Sequence, residues 1–498
     1  MTPNRKLIRI HPSDNVAVAL EDIEAKERLQ LGGLDILILE RIPRGHKVAL
    51  ADFKEGEDVI KYGSPIGHAT RPIKKGDHVH VHNLKTNLEG LLEYTYKPQK
   101  TERGKGSGCR TIEAYVRENG DIGIRNEIWI INTVGCINRT AENLARAANA
   151  LYAGRNFDGV YAFPHPFGCS QLGEDHFKTQ SILADLVHHP NAGAVLVLGL
   201  GCENNHLKEF KKILGEVNPG RVGYLNIQDA EDETEEGLKI IGRLVEYAEG
   251  FKRERVSASK LRVGLKCGGS DAFSGITANP LVGAFSDQLV DWGGTTILTE
   301  VPEMFGAETI LMNRCIDEGV FQKCVDMING FKKYFMKYGQ AIYENPSPGN
   351  KEGGISTLEE KSLGCVQKGG TSSVVDVLDY GERVKRPGLN LLYGPGNDMV
   401  AVTALAAAGA HMVLFTTGRG TPWGGPVPTV KIATNSDLAL RKKNWIDFSA
   451  GGLLEGKEMD ELKEELVDFV LEVASGRRTK NEENGFREIS IFKDGVTL

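Results

Sequence analysis

Residues 260–271 read KLRVGLKCGGSD. An apolar run passes into Lys266, Cys267 and a glycine pair. A strand buried on both faces reads as such a run, without alternation, and belongs to a parallel sheet covered by helices. The texture returns in GGTTILTEVPE (293–303), GLNLLYGPGND (388–398), HMVLFTTGRG (411–420) and TVKIATN (429–435), with helical stretches between. Strands alternating with helices predict an α/β domain with a largely parallel sheet over 259–498. Such sheets bind ligands beyond the carboxyl ends of their strands, so these glycine-rich loops are where chemistry is expected.

Upstream, 112–258 also alternates strand and helix patterns and predicts a separate α/β middle domain. Within it, ETEEGLKIIGRLVEYAEGFKRERV (233–256) reads as one long helix ending in positive charge, as the helix dipole favours. Residues 97–111 form a linker: YKPQKTERGKGSGCR (96–110) holds Pro98, Gly104, Gly106 and Gly108 and almost nothing apolar. Residues 1–96 carry short alternating segments (KLIRIH, NVAVAL, GLDILILERI, HKVALADF, HVHVHN) split by turns, the pattern of a small all-β domain. The tail FREISIFKDGVTL (486–498) reads as a last strand.

The 498 residues carry a net charge of −7, which does not suggest a nucleic-acid partner. No run approaches a membrane span and no signal peptide opens the chain, so a cytoplasmic enzyme acting on a small molecule is expected. Eight cysteines lack any CxxC spacing and read as reduced thiols. Cys169, Cys202 and Cys267 sit beside glycines in loops, placed for ligation or catalysis; Cys315 and Cys324 read as small buried hydrophobes.

Other groups stand out by type. In KGDHVHVHNLKTN (75–87), His78, His80 and His82 alternate with valines, which puts three imidazoles on one strand face, either as metal ligands or as a face turned to solvent or a neighbouring domain. CGGSDAFSG (267–275) offers Asp271 among glycines that let the backbone approach a ligand. LTEVPEMFGAE (298–308) sets Glu300, Glu303 and Glu308 after a strand; one suits a metal or a base, the others a helix start. Arg419, between glycines and followed by Thr421, suits bidentate capture of a carboxylate, and Lys351 lies in a Pro/Gly/Asn-dense loop. Dinucleotide, P-loop and nucleophile-elbow motifs are missing, so metal-assisted chemistry on a small oxygen-rich acid remains.

HPSDNVAVAL, RGHKVALADF, VIKYGSPIG, GLGCENN, CGGSDAFSGITANP, LTEVPEMFGAE, NPSPGNK and TTGRGTPWGG together resemble the altronate/galactarate dehydratase family over essentially the whole chain, and HVHVHN, VPEMFGAE and SIFKDGVTL resemble its altronate branch. The resemblance implies a SAF-type β-clip domain, a middle domain that helps form a homodimer, and a Rossmann-like C-terminal domain with a metal site. It implies dehydration of D-altronate to 2-dehydro-3-deoxy-D-gluconate in galacturonate breakdown, with Fe2+ as cofactor (Mn2+ or Ca2+ as other occupants). Another sugar acid such as galactarate, or binding without turnover, are the competing readings. For that metal site the candidates are Asp271 and Glu300, with Cys169, Cys202 and Cys267 as thiolate neighbours. His46, in a motif shared by both branches of the family, is the candidate base with Lys47 beside it, and Lys351, Arg419, Thr421, His80 and His82 are the candidates to face the substrate.

Overall fold

The computed structural model describes residues 6–99 and 108–498. Most of the expected linker, 100–107, lies outside the described residues.

The N-terminal part is all β. Leu7–Ile8, Val16–Ala19, Lys47–Ala49 and His78–Val79 form one antiparallel sheet, Asp58–Lys61, Ser64–Ala69 and Leu84–Lys85 a second, and Arg28–Leu31 pairs with Leu34–Leu37. Val48, Ile36 and Ile23 are fully buried between them. The histidine triplet does not run as a strand throughout. Pairing stops at Val79, where the Asn83 side chain accepts the His80 amide (2.9 Å) and the Asn83 amide donates to the His80 carbonyl (3.0 Å). That local turn outcompetes the ladder that alternation favours.

The middle part holds a parallel sheet in the order Val160–Ala162, Glu127–Asn132, Ala192–Gly199, Val222–Asn226, beside a small antiparallel sheet. The long helix expected over 233–256 starts at Glu233, capped by Asp232, and ends at Ala248. Arg253–Ser257 is instead a strand paired antiparallel with Thr111–Val116. Cross-strand pairing, with the Arg253 guanidinium over the Tyr115 ring at 4.6 Å, holds that basic segment more firmly than a helix dipole would.

The C-terminal sheet has seven parallel strands: Val374–Leu378, Gly388–Leu392, Thr295–Leu298, Arg262–Cys267, Met412–Thr417, Thr429–Ala433 and Phe448–Ser449. All five expected strands are in it. Arg262–Cys267 is central, and from it the chain builds first one side of the sheet and then the other. Its carboxyl end is therefore the topological switch point, where open α/β sheets leave a crevice. The tail is extended but is not a strand. Side chains take its amides in place of a ladder: Thr403 Oγ1 accepts from Ser490 (3.0 Å) and the Tyr380 hydroxyl from Phe492 (2.8 Å). No helix among the described residues is long and apolar enough to cross a membrane.

Candidate active site and metal centre

One short helix, Leu358–Cys365, is buried along its whole length and ties the N-terminal domain to the switch point. Thr357 caps it by accepting the Glu360 amide, and its hydroxyl donates to the Ile66 carbonyl of the β domain (2.5 Å). The helix sends neighbouring residues in different directions. Glu360 accepts from Lys47 (2.8 Å) and Lys61 (2.7 Å), all three side chains being no more than 1 % exposed. Burial pushes the Glu360 carboxyl up, but the two ammonium groups outweigh it and hold its pKa at about 2. Burial lowers Lys47 to about 8, against the attraction of Glu360. The Lys47 ammonium also donates to the Gly354 carbonyl (2.9 Å) and Ser356 Oγ (2.8 Å), so all its protons are engaged.

Lys361 donates to Glu303 (2.9 Å) and Cys365 closes the helix against the same carboxylate. Glu303 Oε2 lies 3.3 Å from Cys267 Sγ and 3.2 Å from Cys365 Sγ, and the two sulphurs are 3.3 Å apart. Cys267, Glu303 and Cys365 are the group of ligand atoms fit to hold a metal ion among the described residues. Lys266 pairs with Glu300 and Asp398, Lys361 with Glu303, and Lys368 with Glu300. Three ammonium ions thus match three carboxylates, and a divalent ion replacing the two thiol protons would leave the net charge unchanged. Two sulphurs and one oxygen also suit a borderline first-row ion, so the donor set fits a metal. Burial and the neighbouring Glu303 raise Glu300, whereas Lys361, Lys266 and Lys368 hold Glu303 low in spite of burial. Contact with the Cys267 sulphur and burial push the Cys365 thiol well up.

Against the Glu352 turn lies a histidine cluster contributed by the β domain. The His46 ring is 5.0 Å from His78 and 4.6 Å from His80, and His78 is 5.2 Å from the exposed His82. His46 Nε2 meets the Glu352 carbonyl at 3.2 Å, which only accepts, so this nitrogen carries the proton. His46 Nδ1 then accepts from His78 Nε2 at 2.9 Å. His80 Nδ1 pairs with Ser356 Oγ (2.9 Å). Burial, then neighbouring rings and Lys47, lowers His78 and His80 to about 3; burial also lowers His46. His46, His78 and His80 are therefore held as neutral imidazoles at neutral pH.

The loops of the C-terminal sheet close the space around it. The Glu352–Gly354 turn touches His46 and Lys47, and Arg419 reaches Glu352 Oε2 (2.6 Å) from the next loop. A Cβ at Gly354 would lie 2.3 Å from the Gly45 carbonyl, so only glycine lets the two domains meet here. Asn350 anchors the same turn by donating to the Ser270 carbonyl (2.7 Å).

The structure therefore brings together His46, Lys47, His80 and Arg419, with His82 at the rim. Lys351, half-buried, flanks the turn, and the Thr421 carbonyl accepts from Lys431 (3.3 Å). Of the five expected ligands, Cys267 belongs to the metal-ligand group. Glu300 adjoins it but is held by Lys266, Lys368 and the Cys267 amide (3.0 Å), at a left-handed φ of 73°. Asp271 accepts from Phe273, Ser274 and Thr434, which makes it a brace for its own loop. Cys169 and Cys202 are exposed on loops of the middle sheet and stand outside the group. Glu303, one of the three acids noted after that strand, and Cys365 complete the group with Cys267, with Glu360, Lys361 and Lys368 around them. Cys365 does follow a glycine, as Cys169 and Cys202 do, but nothing local sets it apart.

Family models match consecutively: the altronate/galactarate dehydratase SAF domain over residues 5–87, the D-galactarate dehydratase/altronate hydrolase second domain over 114–249, and the D-galactarate/altronate dehydratase C-terminal domain over 258–497. The chain is 54 % identical to an altronate dehydratase of Escherichia coli (strain K12), covering 99 % of both chains. It is 55 % identical to an altronate dehydratase of Bacillus subtilis (strain 168), covering 99 % of this chain and 100 % of the relative. A galactarate dehydratase (L-threo-forming) of Escherichia coli (strain K12) is 34 % identical over 96 % of this chain and 94 % of its own. With a β domain docked on a parallel α/β domain, a thiol–carboxylate centre at the switch point and near full-length matches to both branches, this chain belongs to the altronate/galactarate dehydratase family.

Proposed function

We propose that this protein is a hydro-lyase that converts D-altronate to 2-dehydro-3-deoxy-D-gluconate and water. The observation that carries the reading is the convergence of neutral imidazoles, an accessible arginine and a buried thiol–carboxylate centre at one domain seam; the relatives named above give the substrate. Arg419 leaves Glu352 and binds the substrate carboxylate through its planar fork, which fixes C2. The His46–His78 pair takes the C2 proton: the Glu352 carbonyl holds His46 in the tautomer whose Nδ1 accepts from His78 Nε2, which leaves the His78 Nδ1 lone pair for the substrate. Loss of the C3 hydroxyl with that proton makes water, and the enol left behind becomes the 2-keto acid on gaining a solvent proton at C3. His80, His82, Thr421 and Lys351 face the remaining hydroxyls. Lys47 and Glu360 are positioning residues, because their polar atoms are directed at protein groups. Cys267, Glu303 and Cys365 would hold ferrous iron, which supplies Lewis-acid stabilisation of enolate charge when bound. The same reading carries the setting expected of the family: a homodimer in the cytoplasm, serving galacturonate breakdown.

Anaerobic incubation with ferrous iron and D-altronate in deuterated water, followed by proton NMR, tests this. Deuterium at C3 of a 2-keto-3-deoxy product is the expected result. Turnover of galactarate but not altronate would correct the substrate, and turnover of neither would overturn the reading.

Two further outcomes follow from the site. Arg419→Ala should raise KM about 10- to 100-fold with a smaller change in kcat, since a charge-assisted contact contributes about 1.5–3 kcal/mol; initial-rate kinetics read it, and an unchanged KM removes Arg419 from the site. The acid limb of kcat/KM should lie well below 6.5, the ordinary imidazole value. An imidazole accepts a proton only while neutral, and these rings have lowered pKa values, so they stay neutral through mild acid. A limb at or above that value in a pH–rate profile would contradict the assignment of this pair as the base.

A further inference from the structure

We infer that the middle domain holds an iron–sulfur cluster on Cys136, Cys169 and Cys202, separate from the Cys267 centre. These thiols follow three neighbouring parallel strands. Cys136 comes after Glu127–Asn132, Cys169 after Val160–Ala162 and Cys202 after Ala192–Gly199. All three strands run the same way, so all three loops lie at the carboxyl end of the sheet. Each thiol is exposed, and each follows a glycine.

The loops are clamped to each other. Gly135 donates to the Phe167 carbonyl (2.9 Å), Asn205 donates to the Gly168 carbonyl (3.0 Å) and Ser170 to Asn204 Oδ1 (2.9 Å). Buried Glu203 accepts from Thr133 Oγ1 (2.5 Å) and from the Gly201 amide (2.6 Å), which fixes the Cys202 loop to the Cys136 loop. A Cβ at Gly168 would lie 1.9 Å from the Thr133 carbonyl, and one at Gly135 would lie 2.6 Å from the His165 carbonyl. The backbones approach as closely as glycine permits, and Ser170, next to Cys169, takes a left-handed φ of 58°. Three thiols thus stand on neighbouring turns that are tied to one another by hydrogen bonds.

Their spacing selects the ligand. The group of ligand atoms within 4.8 Å of one another among the described residues is Cys267–Glu303–Cys365, so the three loop thiols stand wider apart than one shared ion allows. A cluster of several irons bridged by sulfide, with each thiolate on a different iron, takes wider spacing. Each thiol gives up its proton as its sulphur binds iron; iron and sulfide enter from solution, and the thiols are not oxidised. Gln228 Nε2, 3.5 Å from Cys202 Sγ, supplies the kind of N–H contact to a ligand sulphur that tunes such clusters. In a four-iron cluster, three cysteines leave one iron open to water or a small oxygen ligand.

The test needs no substrate, so its failure is distinct from failure of the dehydratase reading. The full chain is reconstituted anaerobically with a ferrous salt and sulfide, desalted, and assayed for iron, acid-labile sulfide, visible absorption and, after reduction, low-temperature electron paramagnetic resonance. The expected result is about four irons and about four labile sulfides per chain, beyond any single ion at the Cys267 centre. Cys136→Ser, Cys169→Ser and Cys202→Ser should each lose the sulfide and the absorption while keeping the wild-type thermal midpoint. Cys267→Ser and Cys365→Ser should retain both signals. Iron without labile sulfide in the wild type, a disulfide between any two of the three thiols in anaerobically purified protein, or cluster retention in the triple variant would each overturn the inference.

Discussion

In a Glu360→Gln variant the folded state should lose about 3–5 kcal/mol, the cost of leaving buried charge unpaired, and the N-terminal domain should loosen from the sheet. The reason is specific to this seam. Lys47 and Lys61 come from the β domain, Glu360 from the helix Leu358–Cys365, and none of these side chains is more than 1 % exposed. Glutamine keeps the shape but leaves two buried ammonium groups without a counter-charge. Denaturant unfolding should show a lower midpoint, and limited proteolysis should cleave between the domains sooner than in the wild type. The acid dependence has a defined sign. The Glu360 carboxyl is held at about 2 when folded, against an ordinary 4.5, so its contribution is complete above 4.5 and disappears as pH falls towards 2. The variant should lack that part of the acid sensitivity. An unchanged midpoint would mean that water reaches the lysines and that the seam is not held electrostatically.

His46→Ala should lower kcat by about 10²- to 10⁴-fold, the span of a lost general base. His46 is 8 % exposed and holds both neighbours: it accepts from His78 and donates to the Glu352 carbonyl. Its loss removes the acceptor of the His78 Nε2 proton and unseats His78, so the effect should fall on kcat more than on KM. Arg419 is untouched, and substrate should still bind. Direct binding of altronate to the variant, paired with deuterium exchange at C2, separates the roles. Exchange surviving at the wild-type rate would place the base elsewhere. His78→Ala should give a loss of the same order, and the double variant should add little, because the two rings act as one unit.

The sequence carried much of this arrangement. Apolar runs ending in glycine-rich loops determined the parallel C-terminal sheet, because burial on both faces needs unbroken hydrophobicity. Alternation determined the β domain; Arg419 and Cys267 stood out through chemistry at glycine-rich positions, and His46 and Lys47 through the family resemblance of the segment that carries them. Local pattern failed where local and tertiary forces compete: the strand through His82, the basic end of the long helix and the last strand of the tail. In each case side-chain hydrogen bonds or a distant strand took over the backbone. The thiol–carboxylate centre was decided by tertiary structure alone. Cys267, Glu303 and Cys365 are separated by 36 and 62 residues, and no periodicity links them. Only the switch point of the sheet, with Leu358–Cys365 driven into it by the Glu360 ion pairs, brings the two thiols and the carboxylate within reach of one ion.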